Sequence, residues 1–264
     1  MIVDLHTHTR DSFDGFTTPE QLLDACVRRG IGAIAITEHD RRCAIDPERF
    51  TSRGVEIVPG CEFTTDAGAH ILGLFVADGL EAGRHRRDIL DHIRSQGGIA
   101  VMPHPWKPGS GYMAIHGEDD FLGRFEFIEL LNGGWKARDS APRIRSLAER
   151  HGMRMIASSD SHRACQVGLC ATRLIGSVAE AGGLRKYLDG VQQDHLELLL
   201  DARALRSRGR RTRPFQRLGA YQLALKLVPT GLRRMAKRFH YSLGSDRVSS
   251  EPDYQVVLPE TTSW

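Results

Sequence analysis

Short apolar runs alternate along this chain with longer stretches whose apolar residues recur at helical spacing. Residues 2–5, 33–37, 56–59, 70–76, 99–102, 127–131 and 155–157 have the length and composition of strands, and 172–175 is a final candidate. Between the first two, Pro19–Arg29 sets Leu22, Leu23, Cys26 and Val27 on one helical face behind Thr18, a capping residue. Residues 84–96 carry Ile89, His92, Ile93 and Gln96 as one stripe and stop at Gly97-Gly98. Residues 140–151 read as a third helix. Alternation of this kind predicts βα units around a parallel sheet or barrel, an α/β fold. Two more helices are expected over 216–228, ended by Pro229, and over 231–243, with an irregular tail at 244–264.

Composition narrows the class. A chain of 264 residues, 41% hydrophobic and 26% charged, is globular rather than disordered, and an α/β barrel of about 250 residues is ordinary as one domain. No stretch approaches the roughly 20 apolar residues that cross a bilayer. Met1 leads straight into the first apolar run, so no signal peptide and a cytoplasmic location are expected. The five cysteines show no CxxC pair and read as reduced thiols, with Cys61 a small buried side chain. Charge is uneven. Residues 201–240 hold twelve Lys and Arg against one acid, Asp201, so they carry +11 of a net +3 and leave −8 elsewhere. An acidic body over 1–200 and a basic extension over 201–264 are the expected divisions.

The candidate chemistry lies at the ends of the apolar runs. His6-Thr7-His8 follows the first, and residues two apart on an extended chain point to one side. Asp14 stands six residues on, where a turn at Gly15 folds it back over the same mouth. Glu38-His39-Asp40 ends the second run; two acids beside a histidine suit ligation or a supporting carboxylate that fixes the imidazole tautomer. Glu62 follows the third, then His70, then His104 between Pro103 and Pro105, then Asp160-Ser161-His162. Six histidines, two aspartates and one glutamate at strand ends would meet on one face of a barrel. His85, His92, His116, His151, His195 and His240 lack that context and read as solvated or packing groups.

These motifs, a DxHxH with a following acid, an element like T[DE]HD, a G-x-E strand end, a G-x-H, an H-P and a final D-x-H, occur in order over about residues 1–200. They resemble the polymerase and histidinol phosphatase (PHP) superfamily. The resemblance implies a distorted (β/α)7 TIM-like barrel holding up to three metal ions. It implies His6, His8, Glu62 and Asp160 for the first ion, Glu62 with His70 and His104 for the second, and Asp14, His39 and His162 for the third. Glu38 stands where aspartate is more usual in the family. Glu129 and Asn132 resemble a family E-x-x-N element, with a supporting, substrate-contact or helix-capping role.

Mixed imidazole and carboxylate ligands favour zinc, manganese or iron over magnesium. The expected reaction is attack of a metal-bridged hydroxide on a phosphoester, with Asp160 and Glu62 as catalytic groups. Arg10, Arg41, Arg42, Arg163 and Asn132 are candidate substrate contacts. The short connections from His70 to His104 and from His104 to Asp160 leave little room for an inserted domain. A small phosphomonoester, histidinol-phosphate-like in scale, is therefore the expected substrate. The alternatives are a nuclease or nucleotide phosphatase whose basic extension holds nucleic acid, and a non-catalytic interaction module. An anionic membrane surface would also suit that extension.

Overall fold

The computed structural model of the protein describes residues 1–134, 140–201 and 252–257. Among these, ten strands form one sheet: β1 (Ile2–Thr7), β2 (Ala33–His39), β3 (Glu56–Thr64), β4 (His70–Leu74), β5 (Ile99–Met102), β6 (Phe127–Asn132), β7 (Arg154–Ser158), β8 (Cys170–Leu174), β9 (Leu196–Asp201) and β10 (Tyr254–Val257). Their spatial order is β10-β9-β8-β1-β2-β3-β4-β5-β6-β7. The described helices are α1 (Pro19–Arg29), α2 (Glu48–Thr51), α3 (Arg86–Ser95), α4 (Tyr112–Ile115), α5 (Ala141–His151) and α6 (Leu184–Gly190). No described helix is long and apolar enough to cross a membrane.

Local signals account for the main helices. Thr18 accepts from the Gln21 backbone while the Gln21 side chain returns to Thr18, a reciprocal cap at the start of α1. Gly30, at φ +65, ends that helix, and its N–H reaches the Cys26 and Val27 carbonyls. Gly152, at φ +67, ends α5 in the same way.

The fold is α/β with a curled sheet, but it departs from a uniform barrel of βα units. β4 runs antiparallel between β3 and β5. It is joined to β3 by residues 65–69 alone, and a parallel return needs a crossover of about a dozen residues. The reversal has a use. Because β4 runs backwards, its first residue, His70, lies in register with Thr64 at the end of β3. β8, β9 and β10 also pair antiparallel, so the sheet is mixed. β10 corrects the expectation of an irregular tail over 244–264. The helices expected over 216–228 and 231–243 lie outside the described residues.

Curling brings β7 back beside β1 and β8. The seam is made by a few specific bonds. His8 N donates to the Ser161 carbonyl at 2.8 Å, and Ala157 N donates to Thr172 Oγ1 at 2.9 Å. The buried Asp4 carboxylate accepts Ser159 N at 2.9 Å and Gly168 N at 2.8 Å, tying β1 to the chain on both sides of the β7–β8 link. Inside, Val3, Leu5, Ala33, Ala35, Val58, Leu72, Val101, Phe127 and Ile156 pack as one cluster. Their spacing of two along each strand is the pleat period.

β9 is fastened to α1 by a buried ion pair. Arg29 and Asp201 are 2% and 1% exposed, with Arg29 Nη2 at 2.5 Å from Asp201 Oδ2 and also donating to the Gly168 carbonyl. The Tyr254 ring of β10 lies 5.9 Å from the guanidinium. Removing one partner leaves a buried charge uncompensated, so Asp201→Ala should cost about 3–5 kcal/mol in urea unfolding, and adding Arg29→Met should restore most of it. Equal midpoints for wild type and Asp201→Ala would refute the fastening role.

Candidate metal centre

The interior rows of the sheet continue directly into the site. On β2 the row Ala33, Ala35 leads to Thr37 and His39; on β3 Val58 leads to Gly60 and Glu62; on β6 Phe127 leads to Glu129. β1 would break this rule, since strict alternation after Val3 and Leu5 turns His6 away. The register of β1 against β2 shifts between Asp4 and Thr7, and this irregularity re-aims His6 and His8 inward. Two other residues of the set depart from ordinary backbone. His104 has φ +30 and Asp160 φ +48, left-handed values that cost about 1–3 kcal/mol each where the surroundings impose them.

All nine residues expected from the sequence are brought together. Glu62, 1% exposed, is their centre. Its Oε1 lies 2.7 Å from His70 Nδ1 and 3.0 Å from His104 Nε2. Its Oε2 lies 3.2 Å from His8 Nε2, 3.3 Å from His39 Nδ1 and 3.4 Å from His6 Nε2. Asp160 Oδ1 faces His8 Nε2 at 3.5 Å and both His6 Nε2 and His162 Nδ1 at 3.6 Å. Asp14 spans the remaining pair, with Oδ1 at 3.5 Å from His39 Nε2 and Oδ2 at 3.3 Å from His162 Nε2.

The donor set fits divalent ions. His6 Nε2 and His8 Nε2 point at each other across 3.2 Å. His39 Nδ1 and His104 Nδ1 are buried with no hydrogen-bond partner among the described residues. Buried polar atoms are nearly always satisfied, so the unsatisfied His39 Nδ1, 3.3 Å from Glu62 Oε2, marks a place for a cation. Four overlapping groups have ligand atoms within 4.8 Å of one another: His8, His39 and His162; His6, His104 and Asp160; His6, His8 and Glu62; and His39, Glu62 and His70. These groupings overlap the three sets the resemblance implies and draw His39 toward Glu62 as well as toward Asp14.

Supporting groups fix the rings. His6 Nδ1 donates to Glu129 Oε1 at 2.9 Å, which leaves Nε2 as the ligating nitrogen. Glu129 Oε2 accepts from His104 N at 2.8 Å and from Asn132 Nδ2 at 2.7 Å. His162 Nδ1 donates to the Asp160 carbonyl at 3.0 Å. Ser12 Oγ accepts His39 N at 3.1 Å and lies 3.2 Å from His8 Nδ1. Glu38 receives Thr9 N and Thr9 Oγ1, anchoring the chain just past His8. Cys61 packs in the apolar core, and the Gly134 backbone lies so near Asp160 Oδ2 that a Cβ there would stand 2.6 Å from it.

The substrate candidates fall differently. Arg10 and Arg42 are exposed, and Arg41 donates to the Asp11 carbonyl at 3.2 Å. Arg163 is 7% exposed with its guanidinium 5.4 Å from the Phe16 ring centroid, and Asn132 holds Glu129. Among the described residues, a cation that the sequence motifs did not reveal stands beside the cluster. Lys107 Nζ lies 3.3 Å from Asp160 Oδ2, in the turn that follows His104.

Electrostatics follow the geometry. Burial acts against every charge here, and for Glu62, Asp160 and Asp14 the surrounding cations and imidazoles outweigh it and hold the carboxyls below their ordinary range. Burial alone would lower His8, yet Asp160 and Glu62 raise it to about 9, whereas burial and Lys107 press His104 down to about 4.

Near neutrality the ion-free protein therefore keeps a proton on His8, and ligation must expel it. Zinc affinity should rise with pH toward about 9, with proton release visible in calorimetric titrations run in two buffers of different ionisation heat. Binding without proton release would contradict this. Glu129→Gln should weaken metal binding about 10- to 100-fold in the same titration, because the hydrogen bond that orients His6 is weakened.

The chain is similar to several known proteins. The chain matches the PHP domain family model over residues 4–198. It is 32% identical over 120 residues to the uncharacterized protein MJ1587 of Methanocaldococcus jannaschii, covering 41% of this chain and 70% of that protein. It is 40% identical over 81 residues to the 5'-3' exoribonuclease Rnm of Escherichia coli, covering 28% of this chain but 27% of Rnm. A two-domain protein of Bacteroides vulgatus, described as containing a predicted PHP-like metal-dependent phosphoesterase, shares the fold with a TM-score of 0.59 and 21% identity. That alignment covers 75% of this chain and 64% of that one, less than two thirds of the larger protein. With a match over most of its length and the motif residues gathered at one site, this chain belongs to the PHP domain family.

Proposed function

We propose that the chain hydrolyses the phosphomonoester of a small metabolite, of about the size of histidinol phosphate, at a site holding two or three ions of zinc, manganese or iron. The observation that carries this is the convergence of five imidazoles on Glu62 within 3.4 Å. Bound there, divalent ions supply Lewis acidity, which brings the pKa of water toward neutrality and neutralises phosphoryl oxygens. His6, His8, Asp14, His39, Glu62, His70, His104, Asp160 and His162 are the proposed ligands.

The chain's own groups do the remaining work. Glu129, Ser12 and the Asp160 carbonyl hold His6, His8 and His162 in fixed orientation, so little reorganisation accompanies the reaction. Asp160 is the proposed acceptor of the proton lost by the attacking water. Its Oδ2 is held by Lys107, whose ammonium burial would discharge but Asp160 and Glu62 keep charged. Lys107 is about one-third exposed, so it can meet an entering phosphate. The connections from His70 to His104 and from His104 to Asp160 are taken up by α3, β5, α4, β6, α5 and β7 of the fold itself, which supports an open site for a small ester.

A nuclease or nucleotide phosphatase is the second reading, favoured by the likeness to Rnm and by one feature of the sheet. β9 runs parallel to β1 through two antiparallel pairings, so Asp201 and its partner Tyr254 stand at the end of the sheet where β1 delivers His6. The basic stretch lies between these two residues in sequence.

A screen of phosphomonoesters, phosphodiesters and short RNAs with metal-loaded protein separates the two. Salt-insensitive turnover of a small phosphomonoester is the expected result; steep loss of RNA binding between low and moderate salt would favour the second. Lys107→Met should lower kcat/KM by about 10- to 100-fold with metal content retained, since a charged hydrogen bond to phosphate is lost. Undiminished kcat/KM would remove Lys107 from the site.

A further inference from the structure

We propose that Lys107 sets the metal preference of the cluster: by holding one oxygen of Asp160, it keeps the set His6, His8, Glu62 and Asp160 four-coordinate and selective for zinc over manganese and magnesium. The inference rests on the metal-centre reading and goes beyond it in naming what chooses among the ions. Four donor atoms face one another in this set. His6 Nε2 and His8 Nε2 are 3.2 Å apart. Glu62 Oε2 lies 3.4 Å from the first and 3.2 Å from the second, and Asp160 Oδ1 lies 3.6 Å and 3.5 Å from the same two nitrogens. A tetrahedral zinc ion with bonds of about 2.0–2.1 Å needs its donors about 3.3–3.4 Å apart. An octahedral ion with bonds of about the same length needs adjacent donors at about 2.9 Å and opposite ones at about 4.1 Å. The five separations fall in one narrow band, as the tetrahedron requires.

A carboxylate can offer both oxygens to one ion, and a second oxygen from Asp160 would raise the donor count above four. That oxygen is engaged elsewhere. Lys107 Nζ lies 3.3 Å from Asp160 Oδ2, and the Gly134 backbone crowds the same atom, so that a Cβ there would stand 2.6 Å from it. Lys107 is itself placed by a tight turn. Its N–H donates to the His104 carbonyl at 2.9 Å, and its carbonyl accepts Gly111 N at 2.7 Å. Gly111 lies so close to Pro105 O and Lys107 N that no side chain fits there. The ammonium acts in two separable ways. Its charge weakens every divalent ion alike, whereas its grip on Oδ2 withholds an oxygen ligand. The second effect penalises manganese and magnesium, which seek many oxygens, more than zinc, which is content with imidazole and few oxygens.

The test is equilibrium dialysis of ion-free wild type, Lys107→Met and Lys107→Arg against zinc, manganese and magnesium, with bound metal read by elemental analysis. Turnover of a small phosphomonoester is then read on the loaded proteins. Wild type should prefer zinc. Lys107→Met should narrow the ratio of zinc to manganese affinity about tenfold while zinc stays bound. Lys107→Arg, which keeps a cationic donor for Oδ2, should hold the wild-type ratio. Manganese bound by wild type as tightly as zinc, an equal change for all three ions in Lys107→Met, no change at all, or the same narrowing in Lys107→Arg would overturn the proposal. Loss of zinc from Lys107→Met would overturn it too, because Lys107 would then only hold Asp160 in place. A shifted ratio without turnover of any ester would leave the role of Lys107 standing and overturn the phosphoesterase reading instead.

Discussion

Placing the Glu62 carboxylate in the dry interior against five imidazoles demands that strands far apart in sequence end within a few ångströms of one another. His6 and His8 come from β1, His39 from β2, His70 from the reversed β4, and His104 from the turn after β5. A flat sheet would spread these ends over many strand widths, each about 4.8 Å. Curling is therefore a requirement of the site as much as of the core. The seam bonds of Asp4, His8 and Thr172 maintain it. An isolated carboxylate would protonate on burial; encirclement by imidazoles and Lys107 keeps the Glu62 and Asp160 carboxyls ionised.

Strain and irregularity concentrate where that requirement is sharpest. The register shift in β1, the left-handed backbone at His104 and Asp160, and the close approach of Gly134 all adjoin residues of the cluster. Each is locally unfavourable and held by neighbours: Glu129 receives His104 N, and Lys107 grips Asp160. The supporting hydrogen bonds of His6, His8 and His162 leave those three rings one orientation.

Much of this was legible from residues near one another in the chain. The strand runs, the Thr18 cap of α1 and the positions of the nine clustered residues are local patterns, and period two on β2 and β3 places His39 and Glu62 without knowledge of the fold. Other features depend on contacts the chain does not announce. The run from His70 to Leu74 has no mark of direction, so its reversal follows only from the brevity of the link to β3. Tyr254–Val257 becomes a strand because β9 offers it an edge, a partner more than fifty positions earlier. The E-x-x-N element left several roles open for Glu129, and contact with His6 and His104 N makes it a support. Lys107 carries no motif, since a flexible point charge acts through where its turn puts it.

Pairing of Tyr254 with Asp201 means that the cationic stretch between them has both its ends fixed to one strand pair. Cutting the chain at residue 203 would strip β10 away and bare the β9 edge together with the Arg29–Asp201 pair. The sheet therefore depends on a strand that comes from the far side of the cationic stretch in sequence.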